Sequence, residues 1–262
     1  MKASRVVTSA AMILTVGSLV AAVADERKTS SSCALALGSE VCTWVVFEGP
    51  TPVELGATIP LALIEDVPTD VEMVWPPKEL LSLPIPQAAR EALGIDHMGI
   101  NWEAHGHPPA TFMTRHFDFH FYSITEAEVR AIDCADESKP AHVPARYTLP
   151  DIEVPGMGAL VGLCVPNMGM HAMHANQVEE TDPFEASMIL GYYSGRPIFF
   201  EPMVSQSLLL RRADFTLEMP PVHDLPAGVR YPSRFRAEYV AGSDEYRLVF
   251  SGFGSDGTVA GS

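Results

Sequence analysis

The segment RHFDFHFY, residues 115–122, alternates aromatic and polar side chains with a period of two. Successive side chains of a β-strand point to opposite faces, so Phe117, Phe119 and Phe121 are expected to share one face. The opposite face then carries a row of polar side chains: His116, Asp118, His120 and Tyr122. The pattern predicts a strand with one face in a hydrophobic core. Whether the polar face forms a binding or catalytic site depends on what surrounds it.

Three interpretations of the polar face stay open at this point. A one-sided antiparallel sheet normally shows its polar face to water, so the row could simply be solvated. Asp118 could instead orient one or both histidines within a buried polar network. The third possibility is a metal site, because neutral imidazole and carboxylate are ligands of Zn, Cu, Fe and Ni.

The rest of the chain favours a β-rich fold. Two pairs of β-prone runs flank short turns and predict hairpins at 188–203 and 233–253. Helices are predicted at 86–95, between a proline and a glycine, and from Thr125, which begins a capping-box sequence. We therefore predict one mainly β domain over residues 42–253, α+β in class with a few short helices, folded as a barrel-like structure or a sandwich.

The beginning of the chain has the pattern of a secretory signal peptide. Lys2 and Arg5 precede an apolar run at 6–20, and Ala22-Val23-Ala24 forms a small-x-small cleavage sequence. We predict cleavage after residues 1–24 and a secreted or periplasmic location. No later stretch is apolar enough to span a bilayer, so no membrane association is expected after cleavage.

Two further segments are predicted to lie outside the domain. Residues 25–41 are polar and Ser-rich and are expected to form a mobile leader, and residues 254–262 a disordered tail. The formal net charge of −16 argues against nucleic acid and anionic lipid as partners.

The four cysteines fit an exported protein. An even number in an oxidising compartment indicates two disulfides, for which three pairings are possible. The shorter loops favour Cys33 with Cys42 and Cys134 with Cys164. No CxxC spacing occurs, so neither a zinc ribbon nor a thioredoxin-type redox site is indicated.

Six of the nine histidines fall in three short stretches: His105 and His107, His116 and His120, and His171 and His174. Strand geometry limits which of them can share an ion. Residues i and i+2 lie about 6.6 Å apart and could do so, whereas i and i+4 lie about 13 Å apart and would need a bulge or strong twist. The sequence has no GxSxG, P-loop or HExxH pattern, so those hydrolase, kinase and zincin classes find no support.

Several motifs, in order, resemble a family of exported bacterial proteins of unknown function. They are HGHPPATF, HFDFHFY, PNMGMHAMH, ILGYYSGRPIFFEPM, YPSRFRAEY and YRLVFSGF, and they extend from about Cys42 to Phe253. The family carries the motifs GHxPP, HFDFHFY, MGxH and EPM. An HxH pattern followed by a later His also occurs in cupins, but the resemblance of this chain to cupins is weak. Arg115 stands where the family pattern has Pro, and Ala172 where it has an aromatic residue.

The resemblance implies a compact β-rich fold and a ring-shaped homo-oligomer. It places the family's polar motif residues at six positions of this chain: His107, His116, Asp118, His120, His171 and Glu201.

The leading hypothesis is an exported protein that binds one divalent metal ion in a histidine-rich cavity, with Zn, Cu, Fe and Ni all left open. The predicted ligands are His107, His116, Asp118, His120 and His171, with Tyr122 and Glu201 as candidate catalytic groups. Whether it is an enzyme, and on which substrate, is left open.

The alternative hypothesis is a non-enzymatic envelope protein that binds a small apolar molecule or assembles into a ring. A set of methionines would then serve as soft core filler or lining: Met157, Met168, Met170, Met173 and Met203.

Overall fold

The computed structural model describes residues 26–72, 80–154 and 158–254. The predicted signal peptide, residues 1–24, lies outside the described residues, as do residues 255–262 of the predicted tail.

The described residues form the following strands: β1 (Arg27–Ala36), β2 (Ser39–Glu48), β3 (Thr51–Pro60), β4 (Leu81–Pro84), β5 (His97–Glu103), β6 (His116–Tyr122), β7 (Tyr147–Thr148), β8 (Ile152–Val154), β9 (Gly158–Leu160), β10 (Met170–His174), β11 (Ala186–Tyr193), β12 (Arg196–Ser205), β13 (Phe215–Glu218), β14 (Arg234–Val240) and β15 (Glu245–Ser251). The α-helices are α1 (Leu61–Glu65), α2 (Gln87–Leu93), α3 (Glu126–Arg130) and α4 (Gln206–Leu209). Single turns of 3-10 helix occur at Ala110–Phe112, Val161–Leu163 and Ala175–Val178. The predicted class, mainly β with a few short helices, is confirmed.

Most strands belong to two antiparallel sheets. The first has the order β1-β2-β3-β15-β14-β13, the second has the order β4-β5-β6-β12-β11-β10-β7, and β8 and β9 form a separate two-stranded sheet. Aromatic rings join the two sheets, because Phe250 of β15 packs against Phe121 of β6 and Phe200 of β12 with ring centroids 4.8 and 4.7 Å apart. Within the described residues neither sheet closes on itself, so the sandwich is confirmed and the barrel-like alternative is wrong.

Local sequence signals determine where the short helices begin and end. Pro60 ends β3 and precedes α1, and Pro86 precedes α2 because proline lacks the N–H that an interior helical position needs. Gly94 ends α2 with φ of 66°, a left-handed conformation in which glycine carries no Cβ penalty. Thr125 and Glu128 form the predicted capping box of α3. No helix in the described part of the chain has the length and apolarity needed to cross a bilayer.

Both predicted hairpins are present. Strands β11 and β12 are joined by Ser194 and Gly195, whose φ values of 49° and 73° suit the two-residue turn that matches strand twist. Strands β14 and β15 form the second hairpin across residues 241–244.

The prediction that residues 25–41 form a mobile leader is wrong for most of this segment. Arg27–Ala36 forms β1, which pairs with β2 along its whole length, and Cys33 lies directly opposite Cys42 and is bonded to it. A polar, Ser-rich run suits this position because β1 is an edge strand whose side chains are mostly exposed. The composition identified a solvated segment but not its pairing partner.

The second predicted disulfide is also present, between Cys134 and Cys164. It links the segment after α3 to the 3-10 turn before β10. No described cysteine is free. Two disulfides suggest an oxidising, extracytoplasmic location.

Both faces of β6 are buried. All seven residues from His116 to Tyr122 are inaccessible or nearly so, and Phe117, Phe119 and Phe121 belong to the core, as predicted. The solvated interpretation of the polar face is wrong, since segments outside the sheet cover it.

We expect Phe119→Ala to lower the free energy of unfolding by about 3–5 kcal/mol, because it empties a fully buried position in β6. Leu35→Ala is the matched control, since Leu35 is 76% exposed and its truncation should change stability by about 0.5 kcal/mol or less. Urea unfolding with the disulfides intact measures both. Equal, small effects would contradict the position of Phe119 in the core.

Candidate metal centre

The register of the second sheet gathers polar side chains on one face. Directly opposite residues of antiparallel strands share a face, and β5 places Glu103 opposite His116 and Asn101 opposite Asp118. Beyond β12, the pairing of β10 with β11 brings His171 to the same face, opposite Gly191. The histidine face, as we call it, therefore extends over five consecutive strands of the sheet, in the order β5-β6-β12-β11-β10.

A loop after β5 covers one end of this face and delivers His107. The loop turns back because the His107 N–H donates to the Phe112 carbonyl at 3.2 Å. Gly106 has φ of +69°, and a Cβ there would lie 2.2 Å from the Phe112 carbonyl oxygen, so only glycine fits. A second segment packs on the first, because the Phe184 N–H donates to the Thr111 carbonyl at 3.2 Å.

The first group consists of His107, His116 and Asp118, whose ligand atoms lie within 4.8 Å of one another. The Nε2 atom of His116 lies 3.2 Å from Nε2 of His107 and 3.2 Å from Oδ1 of Asp118. Ligands bound at about 2.1 Å in a tetrahedral arrangement are about 3.4 Å apart, so these spacings suit a shared ion.

Backbone carbonyls fix the orientation of both imidazoles in the first group. Nδ1 of His107 lies 2.8 Å from the Pro108 carbonyl oxygen, and Nδ1 of His116 lies 2.7 Å from that of Thr114. A carbonyl oxygen only accepts, so each Nδ1 carries the hydrogen and donates it. In the neutral rings both Nε2 lone pairs then face each other and the Asp118 carboxylate. A cation, either a proton or a metal ion, is needed between them.

Without a metal, the charges favour a proton on His116. Burial lowers the pKa of His107 to about 4, and the neighbouring His116 adds to the effect. Burial also acts to lower the pKa of His116, but the Asp118 carboxylate raises it above its ordinary value. Burial opposes the charged form of Asp118, yet His116 brings the pKa of that carboxyl down to about 2. The two side chains are close, but Asp118 Oδ1 makes no well-aligned hydrogen bond within the described parts of the chain.

The second group consists of His120, His171 and Glu201, also within 4.8 Å of one another, and all three side chains are buried. Nε2 of His120 lies 3.5 Å from Oε2 of Glu201. Nδ1 of His171 lies 3.1 Å from the Leu163 carbonyl oxygen, to which it donates, so its Nε2 is free to act as a ligand.

Aromatic rings enclose the second group. Phe199 packs on His120 and His171 with centroid distances of 4.8 and 5.2 Å. It lies over Gly191, where a Cβ would come within 1.9 Å of the ring. The ring of Tyr122 stacks on His120 at 5.5 Å. The group therefore sits in an apolar enclosure in which unpaired polar atoms are costly.

Burial keeps the second group neutral when no ion is bound. It lowers the pKa of His120 to about 3, although Asp118 opposes the effect, and it also lowers the pKa of His171. Burial raises the pKa of Glu201 well above its ordinary value, with the Asp118 charge adding to the shift.

The five predicted ligands all lie on or over the histidine face and are divided between two groups. His107, His116 and Asp118 form the first group, whereas His120 and His171 join Glu201 in the second. His116 and His120 belong to different groups because i and i+4 on a strand are about 13 Å apart, and β6 has no bulge that would shorten this distance. Glu201, predicted as a candidate catalytic group, is a member of the second group.

Other predicted residues lie apart from the two groups. His105 is exposed and its Nε2 lies 2.7 Å from the Val71 carbonyl oxygen, whereas His174 packs on Tyr147. The Tyr122 hydroxyl donates to the Met168 carbonyl at 3.3 Å, and burial raises its pKa well above the ordinary value. This geometry gives Tyr122 a packing role and does not favour it as a proton donor.

Four of the predicted core methionines are buried, which fits a packing role: Met168, Met170, Met173 and Met203. Met157 lies outside the described residues.

Glu103 was not among the predicted residues. It is half-buried opposite His116, and burial together with the Asp118 charge raises its pKa to about 7. Asn101 donates a hydrogen bond to it. Alternation in HMGINWE places Glu103 on one face of β5, but only the register with β6 shows that this is the histidine face.

We expect His116→Ala to lower the free energy of unfolding of the metal-free protein by about 1–3 kcal/mol, because the buried Asp118 carboxylate loses its partner. His105→Ala removes an exposed imidazole from the adjoining loop and should cost about 0.5 kcal/mol or less. Urea unfolding in the presence of a chelator compares the two. Equal costs would contradict a buried His116–Asp118 pair.

The metal-free protein should also become less stable on acidification through His120. Its pKa is about 3 in the folded chain and 6.5 as the ordinary value, so between these values the unfolded chain binds more protons. The free energy of unfolding should therefore fall as the pH drops below about 6.5, by up to about 1.4 kcal/mol per unit from this residue. In urea unfolding from pH 7 to 4, His120→Asn should show a shallower fall. A slope identical to wild type would exclude this origin.

No match was found when the chain was compared with models of protein families, with curated proteins and with solved structures. The resemblance to an exported bacterial family therefore stays a hypothesis, and the function is argued from the geometry of the two groups.

Proposed function

We propose that this protein is an exported metal-binding protein that holds a divalent first-row transition metal ion in the first group. The observation that carries the proposal is the convergence of three ligand atoms, the Nε2 atoms of His107 and His116 and Oδ1 of Asp118, at separations of 3.2 Å along the group. N and O donors of this kind suit Zn, Fe, Ni and Cu(II).

The backbone supports a metal ligand role for both histidines. Metal-binding imidazoles usually donate their second N–H to a carbonyl or carboxylate, which fixes the tautomer and the ring orientation. His107 and His116 both do so, through Pro108 and Thr114. The lone pairs are thus oriented before any ion binds, which reduces the cost of assembling the site.

The first group supplies fewer ligands than a metal ion of this kind binds. Two histidines and one carboxylate fill three positions, and a bound ion would use the others to polarise a carbonyl group or lower the pKa of a water molecule. His107 is half-buried and lies on a loop, whereas every member of the second group is buried, so the first group is the more accessible of the two. Glu103, opposite His116, is the nearest additional carboxylate on β5.

A competing function follows from the His116–Asp118 pair. A protonated His116 beside Asp118 satisfies much of the first group without a metal, as in a purely structural polar network. The protein would then be a non-enzymatic envelope protein, for which a small apolar ligand and a ring-shaped homo-oligomer are proposals from the family resemblance.

The discriminating experiment is metal titration of protein purified without a histidine tag, after chelator treatment and with Zn(II) or Co(II) as the probe. We expect His107→Ala and Asp118→Asn to weaken binding at the first group at least about tenfold, since each removes a ligand. His105→Ala, two residues from His107 but exposed, is the matched control and should bind as wild type does.

Absence of binding by the wild-type protein would refute the proposal, as would equal binding by all the variants. Light scattering before and after chelation addresses the competing function. A metal-free assembly that is insensitive to chelator would favour it.

A further inference from the structure

We infer that the second group holds a structural ion of its own, which exchanges far more slowly than the ion of the first group. This inference rests on the proposed function and extends it to a centre with two ions of different roles. His120, His171 and Glu201 would bind the structural ion, and the first group would bind the exchangeable one.

Unpaired buried atoms in the second group point to a ligand. Among the residues that the structure describes, neither ring nitrogen of His120 has a hydrogen-bond partner and Oε2 of Glu201 has none, although both side chains are about 99% buried or more. A neutral imidazole has one donor and one acceptor, and each buried group left unsatisfied costs about 1–3 kcal/mol. An ion bound between His120 and Glu201 would satisfy one atom of each.

The spacing suits an ion better than a shared proton. The 3.5 Å between His120 Nε2 and Glu201 Oε2 is close to the roughly 3.4 Å expected between two ligands of a tetrahedral ion. It is well beyond the roughly 2.7–2.8 Å of an ordinary hydrogen bond from a protonated carboxyl group. His171 completes the set, with its Nδ1 hydrogen donated to Leu163.

The two groups require two ions. Each group has its own carboxylate, and His116 and His120 are separated by about 13 Å along the strand. A bridged pair of ions would lie about 3.5–4 Å apart, which this separation does not favour. Asp118 lies between the two histidines on β6 and belongs to the first group.

The enclosure makes the second ion slow to exchange. Its ligands come from β6, β10 and β12, three strands within one sheet, and Phe199 and Tyr122 pack against the group. Release would need these rings or strands to separate. The first group instead uses His107, from a covering loop, which can move without breaking the sheet.

Chelator competition on the zinc-loaded, untagged protein tests this inference. Excess Zn(II) is removed, a colorimetric chelator is added in excess, and zinc release is followed by absorbance. We expect two phases of about one ion each, with the slower at least tenfold slower than the faster. His107→Ala should abolish only the fast phase, and Glu201→Gln only the slow phase.

Glu201→Gln keeps the side-chain volume, so it tests the ligand without opening a cavity. His174→Ala is the matched control, because it removes a half-buried imidazole from the same strand as His171 but outside the group. It should retain both phases. Thermal melts confirm that each variant is folded.

The outcomes separate this inference from the proposed function. A single zinc ion that His107→Ala abolishes would overturn the inference and leave the proposed function intact. Two ions released at the same rate, or a slow phase retained in Glu201→Gln, would also overturn the inference alone. No bound zinc in the folded wild-type protein would overturn both.

Discussion

The burial of both faces of one central strand determines much of the remaining structure. Strand β6 directs three phenylalanines into the space between the sheets and a row of histidine and aspartate side chains to the other side. Apolar burial favours the first arrangement, whereas the second requires covering segments and partners for every polar atom. The loop after β5 and the segment around Phe184 supply that cover, and they hydrogen-bond to each other across Thr111.

The two faces of β6 therefore contribute differently to the structure. The aromatic face joins the sheets through ring contacts such as that between Phe121 and Phe250. The histidine face concentrates groups that are expensive to bury, and their pKa values are shifted away from their ordinary values by that burial. Both functional sites and structural polar networks typically contain buried acids with raised pKa values close to buried histidines with lowered pKa values. The converging, carbonyl-fixed lone pairs of His107 and His116 favour a metal site.

The candidate site was predictable in its residues but not in its arrangement. The motifs around His107, His116 and His171 identified the candidate ligands, since clustered imidazoles and carboxylates are uncommon without a chemical or structural reason. Their division into two groups depends on the rise of a strand, which separates His116 from His120. It also depends on which strands neighbour β6, and that neighbourhood brings in Glu201 and Glu103.

The sequence alone determined the features that depend on near neighbours: the alternation of β6, the proline and glycine that bound α2, the capping box at Thr125 and the two hairpins. It also indicated both disulfide pairings through their short loops. Only the tertiary structure decided that residues 27–36 form an edge strand, that the sheets stay open, and that the histidine face is buried. Each of these depends on contacts between distant segments, because strand pairing and coverage are set by long-range register and not by local composition.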